Sequence, residues 1–339
     1  METNINYAPI HSKQPIFDVQ CHPSQPLLAV GVFGGIVRVF RYAAEPDTPQ
    51  LVANLKPHKK SIRSLSFSAD GTTLYTGSKD KAIKGISVGE TKVAWKRIDA
   101  HSHCVCALQH LSHTSNSFSN PEFSTLLASG DENGTIKIWD TRTPKNVKCF
   151  NDGADFISSF LWHPQSYTLL AGSGDGSLYS YDFRSASTTF STVSEDLGDE
   201  ILSLSLLKNG SKLLAGTLGG DILIYDWNYF GDFSDKLVGH PDAVESIVKI
   251  DEDTVLTSSD DGIIRIVSVL PNQLLGVLGE HGQFPVERMS KSYDGQVLAS
   301  TSHDNCVKLW DLSVFYEDGD EEVMDEEVKP EGEGFFDGL

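Results

Sequence analysis

Long apolar runs are missing from this sequence of 339 residues. The longest uncharged apolar stretch, near Ile201–Leu207, is far too short to cross a bilayer. The first ten residues, METNINYAPI, contain neither the basic segment nor the apolar segment of a secretory signal. We therefore expect a soluble, intracellular protein that does not enter a membrane.

Cysteine and catalytic motifs are also sparse. The five cysteines, Cys21, Cys104, Cys106, Cys149 and Cys306, fit no disulfide framework, which predicts reduced thiols in a cytosolic or nuclear protein. Cys104 and Cys106 share one face of a predicted strand, but no second pair follows at a zinc-finger spacing, so we predict no metal site. The sequence has no P-loop, nucleophile elbow or pair of catalytic carboxylates outside its repeats. We predict a protein that is not an enzyme and has no cofactor.

Basic residues are too few to balance the acidic ones. The chain has 27 Lys and Arg against 47 Asp and Glu, a formal net charge of −20. Glu317–Leu339 holds eleven carboxylates and one lysine, which is half of that charge. Because duplex nucleic acid is bound by basic surfaces, we expect none to bind directly. We predict that residues 316–339 form a disordered acidic tail, which either maintains solubility or binds basic partners such as ribosomal proteins.

An internal repeat dominates the remaining sequence. The chain contains seven copies of a unit typified by LASGDENGTIKIWD at Leu127–Asp140, and each copy is predicted to form a strand, a tight turn and a second strand. Its turn residues are 46, 53, 42, 44, 42 and 43 residues apart, which is the period of a four-stranded propeller blade; they are Gly35, Lys81, Gly134, Gly176, Gly220, Gly262 and Asn305. We predict an all-β, seven-bladed β-propeller over residues 1–315. The last blade has no outer strand of its own, so we expect Asn4–Ile10 to supply it and close the ring.

The units resemble WD repeats, which implies a WD-repeat β-propeller. The family signature places a His before the inner strand, a Ser or Thr in the second strand, an Asp in the turn and a Trp in the third strand. The resemblance implies that these four residues form a structural hydrogen-bonded tetrad. Blade seven has all four members: His281, Ser300, Asp304 and Trp310. Other blades keep part of it: His58, Thr76 and Asp80 in blade two; His101, Ser129 and Trp139, with Asn133 in the turn, in blade three; His240, Thr257 and Asp261 in blade six.

Segments between the repeats narrow the resemblance. Lys59–Ile83, Tyr225–Leu237, Asp261–His281 and Gly334–Leu339 are similar to the WD repeat-containing protein 55 family. The resemblance implies a scaffold in the nucleus and nucleolus that acts in ribosome biogenesis, in ribosomal RNA processing for the large subunit. Its partners would be pre-ribosomal assembly factors or ribosomal proteins, bound by a monomeric propeller within larger complexes. Family members often carry a basic tail, whereas the tail of this chain is acidic.

Two consecutive blades end in the pattern aromatic-Asp-x-Arg. The residues are Trp139, Asp140 and Arg142, then Tyr181, Asp182 and Arg184. This pattern is similar to the motif of WD-repeat substrate receptors that dock on the adaptor of cullin-4 ubiquitin ligases. The alternative function is therefore that of such a receptor. Equally, each pair could be a local Asp–Arg contact that caps a turn.

One rim of a WD-repeat propeller is formed by the turns between the second and third strands and by the loops that lead into the inner strands. We call it the upper rim. This rim combines exposed apolar residues with charges of both signs, a mixture typical of protein-binding surfaces. The predicted partner-binding residues are Phe33, Lys59, Lys60, Lys79, Glu132, Leu218, Asp260, Phe284 and His303.

Overall fold

The structure is a computed structural model that describes residues 7–42, 48–111, 123–143, 145–184 and 189–316. Within these ranges it contains 28 strands, arranged as seven four-stranded antiparallel sheets. Strand β1 is Ile10–His11; blade one is β2 Ile16–Cys21, β3 Leu27–Val32, β4 Ile36–Arg41 and β5 Gln50–Leu55; blade two is β6 Ile62–Phe67, β7 Thr73–Ser78, β8 Ile83–Ser87 and β9 Lys92–Arg97; blade three is β10 Val105–His110, β11 Leu126–Asp131, β12 Ile136–Asp140 and β13 Asn146–Phe150.

The remaining blades follow the same order. Blade four is β14 Ile157–His163, β15 Thr168–Ser173, β16 Leu178–Asp182 and β17 Thr192–Val193; blade five is β18 Ile201–Leu207, β19 Lys212–Thr217, β20 Asp221–Asp226 and β21 Asp235–Val238; blade six is β22 Val244–Lys249, β23 Thr254–Ser259, β24 Ile263–Ser268 and β25 Gln273–Glu280; blade seven is β26 Val286–Lys291, β27 Val297–Ser302 and β28 Cys306–Asp311, with β1 outside. Single-turn 3-10 helices span Phe123–Thr125, Lys208–Gly210 and Ser313–Phe315. None of the described helices is long and apolar enough to cross a membrane.

The first strand of each blade lies innermost and contacts the first strands of both neighbouring blades, so that β2 contacts β6 on one side and β26 on the other. The seven inner strands therefore form a closed ring around a central channel. A four-stranded sheet alone would leave both faces in water, so each blade buries its faces against its neighbours. The predicted all-β, seven-bladed propeller is confirmed.

Neighbouring blades are joined by a repeated close contact. A Cβ atom added to Gly31 would lie 2.9 Å from the side chain of Ile62, the first residue of the next inner strand, and one added to Gly130 would lie 2.5 Å from Ile157. Only glycine lets the next blade approach this closely without displacement. The same contact joins Gly77 to Val105, Gly172 to Ile201 and Gly216 to Val244.

The N-terminal segment completes blade seven. β1 pairs antiparallel with β28, placing Ile10 opposite Val307 and His11 opposite Cys306, and the Ser12 amide donates to the Asn305 carbonyl at 2.8 Å. Closure by an N-terminal strand is thus confirmed, although the described residues 7–9 of the predicted segment lie outside the regular pairing, which starts at Ile10. Pro9 has no N–H to donate to a ladder, which explains why the regular pairing starts after it.

The ends of the two predicted regions lie at the edge of what the structure describes. Residues 4–6 of the predicted closing strand and residues 317–339 of the predicted tail fall outside the described ranges. Phe315, in the last 3-10 helix, packs against the buried cluster that contains Trp310 and Leu312, so the described chain stays on the propeller as far as this turn.

We predict that deleting residues 1–11 lowers the melting temperature by about 5 °C or more, because the deletion removes the β1–β28 pairing and exposes the edge of β28. The exposed edge should also promote association, visible by size-exclusion chromatography. Deleting only residues 1–6 is the matched control and should leave both properties unchanged. Equal melting and elution for the two deletions would show that β1 does not close the ring.

Candidate functional site

The upper rim is held in place by buried hydrogen bonds, most completely in blade seven. His281 Nδ1 lies 2.8 Å from Asp304 Oδ2, and His281 Nε2 lies 2.7 Å from Ser300 Oγ. The Trp310 indole N–H donates to the same Ser300 Oγ at 2.8 Å. Burial lowers the pKa of His281, so its ring is neutral and its Nδ1–H donates to Asp304. The tetrad therefore ties the loop before the inner strand to the turn between the second and third strands.

Blade three has a second complete network, whose acidic member lies at an unexpected position. His101 Nε2 lies 2.7 Å from Ser129 Oγ, which also accepts the Trp139 indole N–H at 2.8 Å. The partner of His101 Nδ1 is Asp131, at 3.0 Å, and not the turn residue Asn133. Asp131 is the last residue of the second strand, where blade seven has Ser302. The carboxylate that binds the tetrad histidine therefore lies two residues earlier in blade three than in blade seven.

Blade six departs from the tetrad that its sequence suggests. His240 Nε2 lies 2.8 Å from Thr257 Oγ1, but Asp261 accepts two hydrogen bonds from the buried Arg265 guanidinium, one of them at 3.0 Å. A bidentate, charge-assisted pair outcompetes a neutral imidazole for the carboxylate. At the position of Arg265, blades two, three and seven have a lysine that donates to a backbone carbonyl instead; these are Lys84, Lys137 and Lys308.

A ring of seven side chains surrounds the upper mouth of the channel. In every blade the pairing of the first and second strands shifts register after the first residue, which leaves the second residue as a β-bulge. Bulges redirect a side chain away from the regular face of the sheet. All seven line a single cavity; we call this set the bulge ring, and it consists of Phe17, Arg63, Cys106, Ser158, Leu202, Glu245 and Glu287.

The cavity has a volume of about 530 Å³ and opens towards the upper rim. Two of the predicted partner-binding residues, Glu132 and Leu218, lie in its wall. A third, His303, hydrogen bonds to Glu287 of the bulge ring. The structure therefore brings part of the predicted rim surface together around one concave site, which we call the mouth cavity.

Carboxylates outnumber cations in the mouth cavity. Its lining includes five carboxylates and two arginines, which are Glu132, Asp155, Glu200, Glu245 and Glu287 with Arg63 and Arg288. The Arg63 guanidinium lies 4.3 Å from the centre of the Phe17 ring. The Arg288 guanidinium donates to the backbone carbonyls of Glu245, at 3.0 Å, and Ser158, at 3.5 Å. Arg63 therefore stacks on a ring, and Arg288 donates its hydrogen bonds to the backbone while attracting Glu245 only through its charge.

Burial and the charges of neighbouring carboxylates raise the pKa of two of these groups, Glu200 and Glu245. Burial raises the pKa of Glu245 to about 7, against the attraction of Arg288, and the charges of Asp260, Glu287 and Glu200 raise it further. Burial also raises the pKa of Glu200, as do the neighbouring charges of Asp155 and Asp199. The mouth cavity thus concentrates negative charge at a cost that a bound cation would offset.

The other predicted rim residues lie outside this cavity. Phe33 and Phe284 are each 51% exposed, and Lys59, Lys60 and Lys79 are exposed charges on blade two. Asp260 is half-buried, and burial with the nearby Asp242 raises its pKa. Sequence reasoning found the turns but missed the bulge ring. In each inner strand the bulged residue directly follows the first β-branched residue, and this position was the available signal in the sequence. Strict alternation of a regular strand assigns the bulged residue to the wrong face.

The predicted adaptor-docking residues lie at the opposite rim, where the third strands of blades three and four end. Asp140 accepts two hydrogen bonds from the Arg142 side chain, Nε to Oδ1 at 3.0 Å and an Nη atom to Oδ2 at 2.7 Å. Asp182 and Arg184 repeat this geometry with the same two distances. The aromatic members, Trp139 and Tyr181, are buried in the core. The two arginine side chains are 62% and 64% exposed, so any partner would contact mainly these guanidinium groups.

Two cysteines near the mouth cavity approach a third potential metal ligand. The Sγ atoms of Cys104 and Cys106 and a carboxylate oxygen of Glu132 lie within 4.8 Å of one another. Structural zinc sites use four protein ligands, and this group provides three. Cys104 is buried and its pKa is raised, mainly by its hydrogen bond with Cys106 and by burial, which opposes the thiolate form that a metal requires.

Comparison with known proteins matches the chain along most of its length. The profile of the WDR55 family matches residues 7–315. A WD repeat-containing protein 55 homolog of Dictyostelium discoideum is 36% identical over 89% of this chain and 70% of its own length. WD repeat-containing protein JIP5 of Coprinopsis cinerea is 35% identical over 91% of this chain and 75% of its own, and WD repeat-containing protein 55 of Arabidopsis thaliana is 34% identical over 89% and 81%.

We predict that Glu245→Gln stabilises the protein in a pH-dependent way. The pKa of Glu245 is about 7 in the folded state against 4.5 for an ordinary glutamate, so its free-energy cost to folding accumulates as pH rises from about 4.5 to 7 and is then constant. The variant should gain about 1–3 kcal/mol in free energy of unfolding at about pH 8, and little at about pH 4.5. Urea unfolding at both pH values measures this, with Glu90→Gln as an exposed control. A gain independent of pH would mean that Glu245 ionises normally.

Proposed function

The chain belongs to the WD repeat-containing protein 55 family, and we propose that it is a non-catalytic protein-interaction scaffold in ribosome biogenesis, acting in large-subunit ribosomal RNA processing. WD-repeat propellers typically bind other proteins and are not catalytic. The resemblance to this family supports the cellular process, and with it residence in the nucleus and nucleolus. The proposed partners are pre-ribosomal assembly factors or ribosomal proteins.

The observation that supports a scaffold is the composition of the upper rim. Leu218 is 45% exposed at the lip of the mouth cavity, and Phe33 and Phe284 are each 51% exposed on neighbouring turns and loops. Exposed apolar side chains beside a charged concave site are characteristic of protein-binding surfaces. Because the tetrad of blade seven holds the loop that carries Phe284, this part of the surface is preorganised, which reduces the entropy lost on binding.

We predict how substitutions in the upper rim change the proteins that are recovered by affinity purification from cells. The tagged full chain should recover large-subunit assembly factors or ribosomal proteins, and Phe33→Ser with Leu218→Ser and Phe284→Ser should reduce their recovery several-fold, because the change removes the apolar contacts. Val52→Ser with Val147→Ser and Leu275→Ser is the control, since these side chains are 48–56% exposed on outer strands. Depletion of the protein should cause precursors of large-subunit ribosomal RNA to accumulate. Recovery without pre-ribosomal proteins, together with unchanged precursors, would contradict the proposed process.

A second function, that of a substrate receptor for a cullin-4 ubiquitin ligase, is favoured by the paired arginines. Arg142 and Arg184 hold the same chelated geometry on adjacent blades, and their side chains are 62% and 64% exposed. An exposed guanidinium fixed by a carboxylate presents its positive charge to an acidic partner at a defined position. In this arrangement the adaptor would bind the lower rim and the substrate the upper rim.

Arg142→Ala with Arg184→Ala should leave folding intact and reduce recovery of the ligase adaptor several-fold, because both guanidinium contacts are lost. Arg41→Ala with Lys92→Ala removes the same charge from the same end of blades one and two and should have no effect. Quantitative pull-downs of the adaptor compare the two variants. Equal recovery with both would leave the Asp–Arg pairs as local turn contacts.

A further inference from the structure

We propose that the mouth cavity binds the cationic side chain of an arginine or lysine in a peptide segment of a partner protein. The inference builds on the proposed scaffold function and specifies what the upper rim recognises. The cavity lies at the centre of the ring, where the bulge ring directs one side chain from every blade towards the same space.

Most carboxylates of the cavity form no ion pair with a basic side chain. Among the described residues, Glu287 is the only one of the five paired with a basic side chain, that of His303. Arg63 and Arg288 are engaged by the Phe17 ring and by backbone carbonyls. A guanidinium or ammonium group that enters the cavity would supply the missing charge and the hydrogen-bond donors.

The spacing of these carboxylates differs from that of a compact metal site. Within the described part of the chain, the one group of three potential ligands whose atoms lie within 4.8 Å is Cys104, Cys106 and Glu132. The carboxylates of Glu200, Glu245 and Glu287 therefore do not all come within 4.8 Å of one another. Their separation suits an organic cation with several donors, which can address carboxylates on different blades at once.

Part of the cavity wall is apolar. Phe156, Leu202 and Leu218 line the cavity together with the carboxylates. The methylene stem of lysine or arginine packs on apolar surface while its charged end remains hydrogen-bonded. A site for a bare ion would not need this wall, whereas a site for a long cationic side chain does.

The charge of the surrounding rim gives the peptide a direction. The basic side chains Lys59, Lys60 and Lys79 lie on blade two, near Arg63 of the bulge ring. Three of the five cavity carboxylates, Glu200, Glu245 and Glu287, lie on the far side, on blades five to seven, together with Asp199, Asp242 and Asp260 of the rim; Glu132 and Asp155 lie on blades three and four. A segment with its cationic residue over blades five to seven and an acidic residue over blade two would match both halves. The same distribution disfavours a phosphate backbone in the cavity.

Fluorescence anisotropy of a labelled peptide that alternates arginine with glycine tests the proposal on the full chain. Its matched control is the same peptide with citrulline, which keeps the shape of arginine and loses its charge. The site variant is Glu245→Gln with Glu287→Gln. The control variant is Glu90→Gln with Asp251→Asn, which removes two carboxylates from the opposite end of the propeller. Urea unfolding confirms that both variants fold.

We expect the arginine peptide to bind wild type and the control variant equally, and to bind the site variant about tenfold more weakly. The citrulline peptide should bind weakly to all three. Because both variants keep residues 317–339, binding through the acidic tail would give equal affinity for both and would overturn the proposal. Equal binding of the citrulline and arginine peptides, or no binding to wild type, would also overturn it. None of these failures would alter the recovery of pre-ribosomal proteins through the apolar rim, so the proposed function is tested separately.

Discussion

The structure depends on one repeated contact, in which a glycine in the second strand of a blade meets the first residue of the next inner strand. Gly31 against Ile62 and Gly130 against Ile157 show how little space separates adjacent blades. Any side chain at these glycines would push two blades apart, and in a closed ring that displacement is passed on to every other blade. The contact lies beside the site, because the residue after the buried Ile or Val is the bulged one. Blade packing and the direction of the mouth side chains are therefore set at adjacent positions of the same inner strands.

The tetrads hold the rim through neutral histidines. Burial keeps His101 and His281 uncharged, so each bridges an acid and a hydroxyl without placing a buried cation in the core. Their hydrogen bonds hold loops of the upper rim, while the charges of the mouth cavity lie on the bulge ring and on the residues beside it. Rigidity and the proposed recognition thus rely on separate residues. As a consequence, the acidic mouth can be altered with little effect on the frame that supports it.

Much of the fold could be predicted from the sequence, because a repeat of 42 to 53 residues with strands and turns in a fixed order is compatible with few other folds. The errors came from local competition that a pattern does not show. Pro9 delays the closing strand, Asp131 replaces the expected turn residue in blade three, and Arg265 takes Asp261 away from His240. The bulge ring was missed because alternation presumes regular pairing, and a bulge is visible only when the register of both strands is known. The charge balance of the mouth cavity was missed for the same reason.

The pairing of β1 with β28 also affects how the protein is made. His11 and Cys306 are neighbours across this pair although 295 residues separate them along the chain. During synthesis the ribosome releases β1 first and its partner last, so six blades can stack before the ring has anything to close with. Throughout that interval the nascent chain exposes the unpaired side of blade one, and a second copy on the same messenger could offer it a competing strand. For a ring closed by the two ends of the propeller, the yield of folded protein therefore depends on how long blade one stays unpaired, and not only on the stability of the finished ring.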